Sequence, residues 1–438
     1  MKTLSERLYG QLTDAGADEI DHPENFRQAH APDNFFRLLI ARTASKIADR
    51  LSSPKTTLAW LLQSLGAPPL FTGLIVPLRE SGSLLPQIFL SKYLKRFAQR
   101  KYAWSLGSIT QGAMILGCAG VALTLKGRAA GIAIVSLIAF YSLARSVSSV
   151  SAKDVLGKTI PKSKRGQLTG WAGSASGLIA IASASFLVLD NSGEGSTHQY
   201  ALYLLAASLL WWAAAAVNAG VDEPKHRDDT NGHSTESLRG QLGLLKTDTL
   251  FRQFLIVRAL AIGSGLSTPY IITLAHKQLG GESLWLGVFI IADGLAAMLT
   301  SPLWGRAADR SSRGVLRSAM LAVCTLLTLV ILYTLLFTGK SETAKVFFPF
   351  ILFLLAAAHA GVRVGRKTFI VDMAEGDQRT DYVAVGNTMI GILLIIVGLI
   401  TGLISLISVE LALGIFALCA LAGAAYGRRL PEVSKDSP

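Results

Sequence analysis

Long apolar runs separated by short polar segments dominate the chain. A helix needs roughly 20 mainly apolar residues to cross the hydrocarbon core of a bilayer. Runs of that kind lie at about 70–91, 103–125, 129–151, 167–189 and 200–220 in the first half of the sequence. In the second half they lie at about 252–274, 283–304, 315–337, 346–365, 382–405 and 407–427. The segment 37–64 is compatible with a helix but is interrupted by Arg42, Lys46, Asp49, Arg50 and Lys55, so hydropathy alone leaves it undecided.

An internal repeat decides it. At an offset of 214 or 215 residues, Ser52-Ser53-Pro54 matches Ser267-Thr268-Pro269 and Leu65-Gly66 matches Leu279-Gly280. Arg96 likewise matches Arg310, Lys153 matches Lys367, and Arg165 matches Arg379. The polar segment 37–64 is therefore the counterpart of the span at 252–274. The expected fold is all-α and integral to the membrane, with twelve transmembrane helices in two pseudo-symmetric six-helix halves. The expected divisions are an N-terminal cytoplasmic segment 1–35, a first half 36–220, a cytoplasmic linker 221–250, a second half 251–428 and a cytoplasmic tail 429–438.

Composition agrees with the pattern and adds a question. Hydrophobic residues make up 51% of the 438 and charged residues only 16%, yet the net charge is +13. That argues against a disordered chain and a soluble multidomain enzyme, and against a nucleic-acid binder, whose basic residues would share a polar surface. Cys118, Cys324 and Cys419 fall inside apolar runs without metal-binding spacing and read as packing residues. Residues 1–35 hold seven carboxylates and no apolar core, which does not resemble a signal peptide.

Much of the excess charge alternates between loops. One set of loops holds Lys92, Lys95, Arg96, Arg100 and Lys101, then Lys153, Lys158, Lys162, Lys164 and Arg165. The same set continues with Arg306, Arg310, Arg313 and Arg317, then Arg363, Arg366, Lys367 and Arg379. The opposite set holds Lys126, Arg128, Lys277, Lys340 and Lys345. The positive-inside rule then places both termini in the cytoplasm.

With that topology, the stretch Gly305-Arg306-Ala307-Ala308-Asp309-Arg310-Ser311-Ser312-Arg313 resembles the G-x-x-x-D-R-x-x-R signature of the major facilitator superfamily of secondary transporters. Six plus six spans, a same-orientation repeat and a cytoplasmic mid-linker carry the same resemblance, which covers about 36–430. The first-half counterpart, Ser91 to Arg96, lacks both the Gly and the Asp. The resemblance implies that Gly305, Asp309, Arg310 and Arg313 belong to a cytoplasmic gate between the halves. The Gly is expected to let two helices approach closely. The paired loops at Lys153, Asp154 and Arg165, and at Lys367 and Arg379, are expected to gate beside it or simply to set topology. Gly157-Lys158-Thr159 is not a phosphate loop, because Ala152 stands where its first Gly belongs.

Charges inside spans are costly and normally face a partner or a watery cavity. Lys46, Asp49, Arg50 and Ser53 follow helical spacing along one face of the first helix, with Asp49 and Arg50 near the bilayer midplane. Arg79 and Glu80 lie at matched depth on the second helix. The expected ion pairs are Asp49 with Arg79, and Glu80 with Lys46 or Arg50. Arg258 and Arg145 read as snorkelling toward the cytoplasm, with Arg145 alternatively joining Lys153 in the gate. Asp293 and His359, in the second half, read either as proton carriers or as packing groups. The midplane charges have two readings, a substrate and proton site or a permanent ion-pair network holding helices together. Lys46, Asp49, Arg50, Arg79, Glu80, Asp293 and His359 are thus the candidates for substrate binding and proton coupling.

The resemblance implies a multi-pass, monomeric transporter of the cytoplasmic (inner) membrane of a bacterium, working by alternating access without a cofactor, metal or nucleic acid. Its expected partners are a small-molecule substrate, protons or another coupling ion, and membrane lipid. The cation excess tilts the substrate toward an anionic or polar metabolite. A uniporter or facilitator, and a non-transporting sensor or accessory protein on the same fold, are the alternatives.

Overall fold

The computed structural model describes residues 4–13, 26–86, 98–161, 164–189, 197–225, 245, 247–337, 339, 341–373 and 378–434, and among them there is no β-strand. In chain order the helices are α1 (Leu4–Thr13), α2 (Phe26–Ala29), α3 (Ala31–Leu51), α4 (Thr57–Ser64), α5 (Pro69–Leu84), α6 (Lys101–Thr124), α7 (Gly127–Thr159), α8 (Arg165–Leu189) and α9 (Thr197–Ala219). The second half continues with α10 (Thr249–Leu260), α11 (Gly263–Leu279), α12 (Ser283–Arg310), α13 (Ser312–Leu336), α14 (Ala344–Met373), α15 (Gln378–Ile404) and α16 (Val409–Tyr426). Among the described residues nine helical segments are long and apolar enough to cross a membrane, α10 and α11 together forming one of them. Helices α3 with α4, α5 and α8 stand at the other positions where the sequence leads one to expect spans.

The repeat is visible in the backbone. Leu65-Gly66 ends α4 and Leu279-Gly280 ends α11, and both glycines adopt positive φ (70° and 85°), backbone that favours glycine. The first span breaks at Ser52–Thr56. The residue before Pro54 is disfavoured in helical geometry, and the Ser52 hydroxyl bonds back to the Ala48 carbonyl at 2.7 Å. Ser53 therefore lies in the break between α3 and α4 rather than on the helical face expected for it. In the second half Pro269 is tolerated inside α11, and the interruption falls earlier, at Ala261 and Ile262.

Neighbour relations repeat as well. Within the first half α6 packs on α7 and α9, α5 on α7, and α3 on α8 and α9; within the second α13 packs on α14 and α16, α12 on α14, and α10 and α11 on α16. The halves meet chiefly through α5 against α15 and α8 against α12. These seams need small residues. A Cβ on Gly398 would lie 2.2 Å from Pro77, and one on Gly402 would lie 3.0 Å from Leu70.

Described residues near both termini are docked. Tyr9 of α1 is buried edge-on against Phe35 at 5.4 Å, and Lys164 donates to the Thr13 carbonyl at 2.6 Å. Arg313 donates to the Leu430 carbonyl at 2.9 Å, and Ser434 reaches Ser312 at 2.6 Å. The start of the linker is also tied down, because Asp222 pairs with Arg37 at 2.6 Å and exchanges backbone bonds with the Asn34 side chain. Most of the rest of the linker lies outside the described residues, as do Lys92, Lys95, Arg96, Lys162 and Lys340.

Candidate functional site

Three helices of the first half bring charge to mid-depth. Asp49 of α3 accepts from Arg79 of α5 at 2.5 Å, from Arg145 of α7 at 2.5 Å and from the Tyr141 hydroxyl at 2.8 Å. The expected Asp49–Arg79 pair forms. Arg145 does not snorkel or reach the gate; it is the second arginine on Asp49. Glu80 pairs with neither Lys46 nor Arg50. Its partner is the adjacent Arg79, at 3.1 Å, and its side chain remains 42% exposed.

The helix break and the 3.6-residue period explain the mispairing. Lys46 and Arg50 are one turn apart and point away from α5: Lys46 donates to the Thr169 carbonyl of α8 at 3.2 Å. The Arg50 guanidinium crosses to the second half, 3.8 Å from where a Cβ on Gly294 of α12 would lie. Asp293, next in sequence, is exposed and within electrostatic reach of Lys55.

Lys55, in the break between α3 and α4, reaches the other half. Its ammonium is 3.1 Å from His359 Nε2, and His359 Nδ1 is 3.1 Å from the Ser264 hydroxyl. An ammonium only donates, so Nε2 accepts and Nδ1 carries the ring proton. Ser264 passes its own hydrogen to the Ala261 carbonyl at 2.8 Å, which completes the relay.

A cavity of about 540 Å³ opens from this point. Lys55, Glu80, Ser264 and His359 line its deep end, and Arg258, Arg363, Arg366, Lys367 and Asn387 line the wall toward the end of the molecule that carries the chain termini. Helix α14 runs to Met373, well past the expected end of its span, which moves Arg363, Arg366 and Lys367 from a loop onto a helix. His359, Arg363, Arg366 and Ile370 follow i, i+4, i+7, i+11 spacing, so one face of α14 presents them together. That spacing is the signal the sequence offered. Arg258 is no snorkelling residue either: it is buried, donates to Asn387 Oδ1 at 2.8 Å, and lies against Gly386, whose missing side chain makes room for it.

The opposite end is closed. Trp60 is fully buried, donates to the Tyr200 hydroxyl at 2.9 Å, and packs edge-on against His276 (4.6 Å) and Phe289 (5.7 Å) of the second half. Tyr200 donates in turn to the Gly281 carbonyl at 3.1 Å, and Ser64 meets His276 at 3.2 Å. His276 falls outside the expected span but inside the helix, because α11 continues to Leu279.

The gate candidates fall into separate places. Asp154 pairs with Arg100 at 2.5 Å and with Lys158 at 3.0 Å, inside the first half. Arg165 caps the end of α7 through the Ile160 and Gly157 carbonyls, at 2.9 and 2.6 Å. Arg313 holds the C-terminal tail, 3.6 Å from Glu432. Asp309 and Arg310 are exposed, with no ion pair among the described residues. Gly305 has open space where a Cβ would be, so the expected close helix approach is not made there. Lys153 and Lys367 are both exposed and within electrostatic reach of one another as like charges. The Arg379 side chain lies outside the described residues.

Comparisons with known proteins agree with this architecture. The family model of the Major Facilitator Superfamily matches residues 39–339. No curated protein matches the sequence. Among solved structures, a D-xylose-proton symporter superposes with a TM-score of 0.69 at 12% identity, covering 91% of this chain and 98% of that one. The nucleoside transporter NupG gives 0.66 at 10% identity, over 91% and 97%. A POT family transporter in complex with 5-aminolevulinic acid gives 0.69 at 11% identity, over 93% and 97%. At such identities the likeness is one of fold. The family match over most of the chain, the membrane-spanning helices and the paired halves lead to one conclusion: this multi-pass membrane protein is a transporter rather than an enzyme and belongs to the major facilitator superfamily.

Proposed function

We propose that the protein is a secondary active transporter that moves a small anionic solute by alternating access, with its termini in the cytoplasm of a bacterial cell. The observation that carries this reading is the cavity between the halves, lined by Lys55, Arg258, Arg363, Arg366 and Lys367 with Glu80 as its carboxylate. A wall of one sign focuses the field and concentrates ions of the other. The conformation described is then inward-open. Transport requires the distal contacts of Trp60, Tyr200 and His276 to part while the halves close over the basic wall.

Glu80 is the residue assigned to proton coupling. Asp49 is saturated by two arginines and a hydroxyl, so its protonation would break three bonds at once. Glu80 holds one bond, to Arg79 Nη1, and faces the cavity, so a proton on it releases that nitrogen at smaller cost while Asp49 keeps Nη2. The proposed divisions are halves at 36–220 and 251–428 with the linker 221–250 between them, acting as a monomer. The decisive test is flux of organic anions in proteoliposomes with and without an inward-acid pH gradient. The gradient is expected to drive accumulation, and Glu80→Gln is expected to leave only downhill flux. Flux that is indifferent to the gradient and never concentrates the solute would reduce the reading to a facilitator.

A second reading, a locked network in a non-transporting sensor, is favoured by the three bonds that converge on Asp49. Absence of flux for every anion that binds would select it.

A further inference from the structure

The cavity's charges also bear on the valence of its ligand, given the reading of the protein as an anion transporter. Arg258 spends one Nη on Asn387, and its Nε is buried with no acceptor among the described residues. Arg366 is within electrostatic reach of both Arg258 and Arg363. Lys55, on the facing half, donates to a neutral ring nitrogen rather than to a carboxylate. Five cations and one carboxylate therefore line one space of about 540 Å³. Charges of one sign gathered around one cavity repel, and a buried guanidinium nitrogen without an acceptor, such as Arg258 Nε, costs further free energy. A single carboxylate from a ligand would offset only a quarter of the excess.

We propose that the cavity binds an organic anion carrying two or more negative charges, a phosphate monoester or a polycarboxylate, clamped between the halves. Arg363 and Arg366, nearly one turn apart on α14, hold one anionic group with the forked donors suited to an oxyanion. Lys55 leaves His359 and meets a second anionic group from the opposite half. His359 keeps its Nδ1 contact with Ser264 when Lys55 leaves its Nε2. The ligand thereby replaces a contact between halves, Lys55–His359, with a stronger one that spans the same gap.

Equilibrium binding to the purified full-length protein in detergent, at constant ionic strength, tests this with acetate, succinate, citrate, glycerol 3-phosphate and inorganic phosphate as probes. Affinity is expected to rise about tenfold from acetate to succinate, one charge-assisted contact in strength, and to be at least as high for citrate or glycerol 3-phosphate. Arg363→Gln and Arg366→Gln should each flatten that series, Arg366→Lys should keep most of it, and Arg317→Gln, outside the cavity, should leave it intact. Competition by inorganic phosphate assigns the ligand to the phosphate esters; its failure beside tight citrate binding assigns it to the polycarboxylates. Affinity independent of valence, or a series flattened equally by Arg317→Gln, overturns the proposal. Flux of monovalent anions alone would overturn it and leave the transporter reading standing, whereas multivalent binding without any flux would do the reverse.

Discussion

The two halves treat buried charge in opposite ways. In the first, Asp49 collects Arg79, Arg145 and Tyr141 at 2.5, 2.5 and 2.8 Å, so each element that packs there brings something the others need. In the second, Arg258, Arg363 and Arg366 line a cavity with Asn387 as the acceptor for one of them. Both arrangements sit in an apolar setting where an unbalanced charge is expensive. The matched set reduces that cost within the protein, and its contribution is to hold α3, α5 and α7 in register. The unmatched set leaves it to be reduced from outside, which is how a binding surface differs from a structural one.

That contrast can be broken most directly at Asp49. Asp49→Asn leaves two arginines facing each other without a counter-charge and is expected to cost about 3 kcal/mol or more, as for other broken buried pairs. A lowered melting temperature in detergent reads this out, and an unchanged one would place Asp49 with the ligand-binding charges. The next effect comes from adding Arg145→Gln to Asp49→Asn. The double variant should recover part of the loss, with a coupling of about 1–3 kcal/mol in a double-mutant cycle.

The sign should then reverse in the second half. Arg366→Gln relieves the desolvation of a part-buried guanidinium and its repulsion from Arg258 and Arg363, against the lost attraction to Glu80, and is expected to stabilise the empty protein by about 0.5 kcal/mol, less as salt is raised. Destabilisation by this substitution would mean that Arg366 has a structural role. Smallest of all, Glu432→Gln removes a partly exposed pair with Arg313 at 3.6 Å and should change stability by no more than about 0.3 kcal/mol. Its value is as a scale for what an ordinary terminus contact contributes.

Parts of this are legible without any coordinates. Asp49 and Arg79 can be paired because both depth along a helix and charge sign are written in one dimension. The sites of Leu65-Gly66 and Leu279-Gly280 emerge from the repeat and prove to be helix ends at which a glycine takes positive φ. Glu80 is mispaired on sequence alone because choosing between Lys46, Arg50 and Arg79 requires the rotation of α3 about its own axis. Hydropathy does not set that rotation in a helix that is polar on several sides. Arg145 and Arg258 read as snorkelling for a related reason: distance from a helix end says how far a long side chain could reach, not what is closer. Arg366 and Lys367 read as loop residues, with Arg363 grouped beside them, because the apolar run stops at 365, although the helix itself continues to Met373.

The sequence by itself determined the class of fold, the repeat, the grouping of basic residues at one end of the spans, and the presence of charge at membrane depth. Each of these follows from local hydropathy or from spacing along the chain. Only the tertiary structure decided which charges neutralise one another and which face an open cavity, because that depends on helix rotation and on contacts between residues such as Lys55 and His359, 304 positions apart. The positive charge that defined the composition is thus divided by packing, part of it in pairs within the protein and part of it lining the cavity.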